Sequence, residues 1–250
     1  MKKILFLVLI CCTFVYFCAR FVFTKQKPST INYQLTTNNS PSFYSSPTVS
    51  WNDITYAYEY FEVNDISKLT LIANFTQKKT SELLIKENTC QFAINGGYYD
   101  TNYKPLGLFM SPVLKTSAIE SSLINGYVTI TNMPSISFEQ PNNPTLALQT
   151  GPMLMADGNR LKLAIKNDEH TRRMIAAISS KGTLMFITIF VPETKVQGPQ
   201  LGDLPDILKL TTLDIVSAIN LDGGNASMFK NRDIYIQEIS SVGSLFCLKD

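Results

Sequence analysis

The chain opens on an apolar run, passes through a polar stretch, and then settles into short alternating segments divided by turn signals. After the paired Lys2 and Lys3, positions 4–19 are predominantly apolar, followed by Arg20 and the coda Phe21-Val22-Phe23. That length lies between the core of a signal peptide and the roughly 20 residues of a spanning helix. Cleavage after Ala19 would place Phe17 where signal peptidase prefers a small side chain, so an uncleaved anchor over residues 1–25 is expected. Secretion or periplasmic release after cleavage is the alternative. Either way the remainder is expected outside the cytoplasm. Residues 26–50 are rich in Ser, Thr, Asn and Pro, the composition of a solvated linker, and the folded domain is expected over residues 51–250.

Within the domain, period-two alternation of aromatic and β-branched positions predicts strands at residues 54–60 and 69–73. Residues 80–86 predict a short helix, and 92–94 a buried strand ending at Asn95-Gly96-Gly97. Further strands are expected at 127–130, 147–149, 173–178 and 183–190, with turn signals at Asn125-Gly126, Asp157-Gly158 and Lys181-Gly182. The last two form a hairpin across residues 180–182. Residues 204–211 carry apolar positions at helical spacing, with Pro205 in the first turn where proline is tolerated. An apolar run at 215–221 then leads into Asp222. Many strands and few helices predict a single α+β domain with a mixed, largely antiparallel sheet core and a few flanking helices, preceded by the membrane segment. No internal repeat is visible.

Composition narrows the function classes. Apolar residues make up 45% and charged residues 17%, with a net charge of +2. No basic stripe with interleaved aromatics follows the N-terminus, which argues against a nucleic-acid partner. Of the 5 cysteines, Cys11, Cys12 and Cys18 lie in the apolar run. Cys90 and Cys247 remain in the domain. In an oxidising compartment they can form one bridge; otherwise they are two separate thiols, and alone they cannot make a zinc centre.

An aspartate at the end of an apolar run and followed by two glycines suits a site: the strand fixes the carboxylate, and the glycines let backbone approach a ligand closely. Asn220-Leu221-Asp222-Gly223-Gly224-Asn225-Ala226-Ser227 has that form. An Asp-Gly hairpin turn is the competing structural reading. Asn95-Gly96-Gly97-Tyr98-Tyr99-Asp100 repeats the design with aromatics able to flank a sugar, and Gln149-Thr150-Gly151-Pro152 supplies a third rigid turn. Arg172 and Arg173 open an apolar strand, where a guanidinium can reach a phosphate, although a solvated strand end is the ordinary reading. His170 is the single histidine, so no multi-histidine metal centre is available.

Taken together, NGGYYD at 95–100, PLGLFMS at 105–111, LQTGPMLMADG at 148–158, RMIAAI at 173–178 and INLDGGNASMF at 219–229 resemble the phosphodiester glycosidase family. The resemblance spans roughly residues 90 to 230. Family members usually read Asp-Gly-Gly-Gly-Ser-Ser after the last strand; here Asn225 and Ala226 stand for the third glycine and first serine, leaving Ser227. The resemblance implies a hydrolase of the bond between an anomeric carbon and a phosphate oxygen, and the expected export points to envelope or extracellular glycans as its substrates. Its implied catalytic residues are Asp222, Arg173 and Asn95. Strand register selects Arg173 for the phosphate, whereas the spacing from His170 selects Arg172; Arg173 is preferred.

The implied substrate-binding set is Gly96, Gly97, Tyr98, Tyr99, Asp100, Thr150, Gly151, His170, Arg172, Gly223, Gly224, Asn225 and Ser227, with Asp100 a candidate second carboxylate. No cofactor is expected, with a divalent cation on Asp222 as the alternative. The expected partners are a glycan or sugar-phosphate substrate and, through the N-terminal segment, a membrane. Two other functions stay open: an inactive envelope protein that binds sugar phosphates, and a hydrolase of another envelope glycan bond. The sequons at Asn38, Asn74 and Asn225 give no compartment signal, since a glycan on Asn225 would crowd the Asp222 turn.

Overall fold

The computed structural model describes residues 45–250. The anchor and most of the linker lie outside the described residues, and among those described no helix is long and apolar enough to cross a membrane. The first strand, β1 (Thr48–Trp51), lies partly within the stretch read as linker, because its residues pair with β2 (Ile54–Val63).

Strands dominate. A 7-stranded sheet has the order β1-β2-β12-β11-β13-β9-β10, where β9 is Met153–Ala156, β10 Asn159–Arg160, β11 Arg173–Ser179, β12 Leu184–Phe190 and β13 Ile215–Asn220. A 5-stranded sheet runs β15-β14-β4-β16-β3, with β3 at Leu69–Ala73, β4 at Phe92–Asn95, β14 at Phe229–Lys230, β15 at Tyr235–Ile236 and β16 at Ser244–Leu248. A 4-stranded sheet runs β5-β8-β6-β7, with β5 at Phe109–Met110, β6 at Gly126–Ile130, β7 at Pro134–Ser137 and β8 at Leu146–Thr150. The expected mixed sheet is corrected: every pairing among these strands is antiparallel. The physical reason is that parallel neighbours need a long crossover, usually a helix, and only two short α-helices occur among the described residues.

The central strands are buried on both faces, which explains their near-continuous apolar runs. Along β11, Met174, Ala176 and Ile178 enter one core while Ile175 and Ala177 enter another. The first core lies between the seven-stranded sheet and the two smaller ones, with Phe61, Phe186 and Phe246 in ring contact at centroid distances of 5.3 and 4.8 Å. The second packs the outer face of the large sheet against α2 (Leu204–Leu210) through Leu204, Ile207 and Leu208. Helix α1 (Ser81–Asn88) is capped by Thr80, which accepts from Leu83 N. Its Leu84 covers the outer face of the five-stranded sheet, where Cys90 and Cys247 are joined in a disulfide.

The three glycine turns have a common position in this topology. After β4 the chain leaves the five-stranded sheet at Asn95-Gly96-Gly97 and continues to β5 of the four-stranded one. After β8 it passes through Gly151-Pro152, a cis peptide, into β9 of the seven-stranded sheet. After β13 it passes through Asp222-Gly223-Gly224 to β14 of the five-stranded sheet. Each turn is a seam between two sheets.

Candidate active site

The strand ladder sets the central geometry. In the pairing of β11 with β13, Ile175 faces Asn220 and Ala176 faces Ile219. The ladder continues past the named strand, since Leu221 N donates to Met174 O at 2.8 Å. Beyond it the register shifts: Gly224 N donates to Arg172 O at 3.1 Å, so Asp222 and Gly223 together stand across from the single residue Arg173. The strand end thus brings the Asp222-Gly223 segment beside Arg173, and a Cβ built on Gly223 would lie 3.9 Å from Arg173 Cδ.

Asp222 is held from the five-stranded sheet. Its N–H donates to Gly96 O at 3.1 Å, and its carbonyl accepts from Asn95 Nδ2 at 2.7 Å. Asn95 Oδ1 accepts from Met228 N at 3.0 Å, so this amide, 1% exposed, ties both ends of the 222–228 loop. No atom of Asn95 is left for a ligand. Gly96 is tightly placed: a Cβ there would lie 2.2 Å from Ser244 Oγ and 3.3 Å from Ser244 Cβ, so any larger residue forces that serine to move. Gly224 takes φ +64, a left-handed backbone that favours glycine, and its N–H donates to Arg172 O at 3.1 Å.

Behind the loop sits a second amide. Asn220 Nδ2 donates to Tyr98 Oη at 2.6 Å and to Gly151 O at 3.2 Å, while Tyr98 Oη donates to Gly151 O at 3.0 Å. Thr150 Oγ1 donates to Asn220 O at 2.8 Å. This network knits together the turns at residues 95–98, 150–152 and 220–222. Burial raises the Tyr98 phenol above its ordinary range, with Asp222 adding to the rise and Arg173 opposing it. Tyr98 therefore feels both charges of the cross-strand pair. Tyr99, raised to about 12 by burial and then by Asp222, donates to Ser241 O at 2.6 Å and stacks on Tyr103.

Desolvation pushes the Asp222 carboxyl up to about 7, opposed only by a hydrogen bond from the Gly223 amide. Its cross-strand partner does not neutralise it. Arg173 instead donates through Nε to Pro199 O at 2.9 Å and through Nη2 to Asp168 Oδ1 at 3.1 Å and to Glu169 O. Nη1 has no bonded partner among the described residues, and a Cβ built on Gly223 would lie 4.0 Å from it.

The two neighbouring arginines point to opposite faces. Arg172, 1% exposed, donates to Ser227 Oγ at 2.8 Å, Ser227 O at 2.6 Å and Lys195 O at 2.8 Å. Burial pulls its guanidinium down to about 10. Ser227 is itself fully buried, and its hydroxyl donates to Gly224 O. Both residues, expected at the substrate, are spent inside the protein to fix the loop.

A sequence model of the phosphodiester glycosidase family matches residues 88–244, a span that holds every element of this arrangement. The chain belongs to the phosphodiester glycosidase family. It is accordingly a hydrolase acting on sugar–phosphodiester linkages. No curated protein matches it in sequence. Among solved structures, the catalytic domain of zebrafish N-acetylglucosamine-1-phosphodiester alpha-N-acetylglucosaminidase, auto-inhibited by its pro-peptide, superposes with a TM-score of 0.54 at 15% identity, covering 82% of this chain and 87% of that one. A protein from Synechocystis superposes with a TM-score of 0.55 at 13% identity, over 80% of this chain and 61% of the other. These likenesses show a shared fold.

Within this phosphodiester glycosidase, not every expected residue gathers at the seam. Asp100 Oδ1 accepts from Asn102 N and Lys104 N, both at 2.8 Å, closing its own turn. His170 is exposed and makes no bond among the described residues. Asn225 is exposed and is fixed through its carbonyl, which accepts from Ile239 N at 2.8 Å and Ser240 N at 2.9 Å. Gly97 packs tightly, since a Cβ there would lie 3.2 Å from Gln149 O. Among the described residues no three His, Cys, Asp or Glu side chains cluster as metal ligands; the groups electrostatically close to Asp222 are Tyr98 and Tyr99.

Two residues without an assigned role in the sequence reading belong to the arrangement. Asn220 stood in the motif with no task, and its phase, two places before Asp222 on the same strand, was the available signal. Asp168 carried no signal at all, because its other partners are the amides of Leu201 and Gly202.

The arginine pair gives a direct prediction. Arg172→Met is expected to lower stability by roughly 3 kcal/mol or more, because the carbonyls of Ser227 and Lys195 lose their buried donor. Thermal unfolding measures it, and a variant that melts with the wild type would refute the anchoring role.

Proposed function

We propose that this chain is an exported phosphodiester glycosidase of envelope or extracellular glycans, with Asp222 and Arg173 as its catalytic pair. Water adds to the anomeric carbon, the bond from that carbon to the phosphate oxygen breaks, and a free sugar and a phosphomonoester leave. Asp222 takes the proton of the attacking water. Arg173, through the open Nη1, receives a phosphate oxygen and stabilises the charge that grows as the phosphate departs. Phosphate is already a good leaving group, so a second carboxylate acting as strong acid is less needed than in ordinary glycosidases. Asn95 and Asn220 are positioning residues: they hold the Asp222 loop and its neighbours and leave the chemistry to others.

The observation that carries this reading is that the Asp222-Gly223 segment, just past β13, lies beside Arg173 at the start of β11, with the guanidinium bonded elsewhere. A carboxyl poised near neutral pH suits a base that must lose and regain a proton in each cycle. Export is supported by the Cys90–Cys247 disulfide, a bond that persists in oxidising compartments, and by the apolar N-terminal run.

The test is turnover of a sugar-1-phosphodiester by the purified chain. Wild type is expected to release sugar and phosphomonoester, and Arg173→Ala to lose roughly 10²-fold or more in kcat/KM, as removal of a charge-stabilising donor does elsewhere. Equal rates would remove Arg173 from the reaction. Exhaustive chelation is expected to leave the wild-type rate unchanged; loss that returns with added divalent cation would transfer Asp222 to a metal-binding role.

A further inference from the structure

Cross-strand neighbours of opposite charge ordinarily meet. Arg173 and Asp222, carried on the adjoining ends of β11 and β13, do not, and the reason lies in a loop that the catalytic reading leaves unused. Asp168 Oδ1 accepts from Leu201 N at 2.8 Å and from Arg173 Nη2 at 3.1 Å, while Oδ2 accepts from Gly202 N at 2.7 Å. The two amides belong to the 3₁₀ turn Leu201–Asp203, so the carboxylate is pinned independently of the arginine. Pro199 O and Glu169 O take Nε and also Nη2 of Arg173 from the same side. Arg173 forms an ion pair with Asp168 and none with Asp222.

We propose that Asp168 is the positioning residue of the site: it holds the Arg173 guanidinium back from Asp222, leaving Nη1 open to a substrate phosphate oxygen and the Asp222 carboxylate free to act on water. The proposal rests on the catalytic reading of Asp222 and Arg173 given above. Without the tether, the guanidinium is free to swing across the ladder and close a partly desolvated ion pair with Asp222. That pair would consume both groups, since the carboxylate would be held ionised as a weak base and the phosphate donors would be occupied. The titratable groups close to Asp222 are Tyr98 and Tyr99 from the 95–100 turn; those that bear on Arg173 are Asp168, Tyr98 and Glu169.

The experiment follows the Asp222 carboxyl itself, by carbon NMR of aspartate-labelled full-length chain, with Asp222→Asn assigning the signal. In Asp168→Asn the titration midpoint of Asp222 is expected to fall by about one unit or more, as it does when an opposite charge moves within contact. Removing the Asp168 charge would by itself lower that midpoint slightly, so the same substitution is repeated on an Arg173→Ala background. There the shift is expected to shrink to less than about half a unit. A folded Asp168→Asn whose Asp222 midpoint is unmoved, or a shift that persists without Arg173, would overturn the proposal.

Should Asp168→Asn fail to fold, Arg173→Ala alone decides. Its Asp222 midpoint is expected to stay within about half a unit of wild type, because the guanidinium is already held off. A rise of about one unit or more would show that Arg173 reaches Asp222 in the native protein, and would sink the idea. The readout is a titration, so it is separable from activity: a chain that shows the shift but does not turn over substrate keeps Asp168 in this role and refutes the hydrolytic reading instead.

Discussion

Asp222→Asn is expected to lower turnover by roughly 10³-fold while making the protein more stable at pH 8. The first effect follows from removing the group proposed above to accept the proton of water. The second follows from burial. The Asp222 carboxyl is raised from 3.8 to about 7. Between those values the native state binds more protons than the unfolded chain, so stability falls as pH rises, and the full cost is present above about 7. A shift of that size corresponds to about 4 kcal/mol. Asp222 is partly exposed and water screens it, which reduces the figure to on the order of 2 kcal/mol. Asparagine carries no such cost, so its gain in melting temperature, several degrees, should appear at pH 8 and vanish near pH 4. A gain equal at both pH values would mean that the carboxylate is not strained by burial. The wild-type rate should rise with pH through about 7, a limb that the variant lacks.

The second large effect concerns the disulfide. Cys90 and Cys247 are 157 residues apart in sequence, with Cα atoms 5.3 Å apart. Closing a loop of that length removes about 5 kcal/mol of chain entropy from the unfolded state, and measured losses on removing such bonds run from about 2 to 5 kcal/mol. Reduction, or Cys90→Ala with Cys247→Ala, is expected to lower the melting temperature by roughly 5–15 °C. The bridge flanks the ladder in which Cys247 faces Ala93 and Leu245 faces Asn95, so heat should abolish turnover earlier in the reduced protein as well. An unmoved melting point would show that the β4–β16 ladder holds that corner without it.

Local pattern went far in this chain, and its failures have nameable causes. Periodicity gave β3 at its observed bounds and most of β4, β11 and β12, because apolar runs in doubly buried strands are long and bounded by turns. Turn chemistry was less decisive. Asp157-Gly158 makes the hairpin between β9 and β10 with φ of 49 and 74. Asp222-Gly223, the same dipeptide, does not: Gly223 has φ −110, and the chain crosses to another sheet. What separates them is the strand that receives Asp222, 127 residues away at Asn95, and no local window contains it.

The arginine ambiguity has the same origin. Adjacent strand residues face opposite ways, and only the tertiary partners, Ser227 for one and Asp168 for the other, say which faces what. Asp168 was invisible because its role depends on amides 33 and 34 residues downstream. The glycine motifs were legible as turns; that all three are seams between sheets required the topology.

The cross-strand setting of Asp222 and Arg173 also has a mechanical meaning. Arg173 opens β11 and Asp222 follows β13 by two residues, and the backbone around them is tied by Leu221 N to Met174 O at 2.8 Å and Gly224 N to Arg172 O at 3.1 Å. In the proposed site the gap between carboxylate and guanidinium is therefore framed by backbone tied on both sides, and side-chain torsion is what adjusts it.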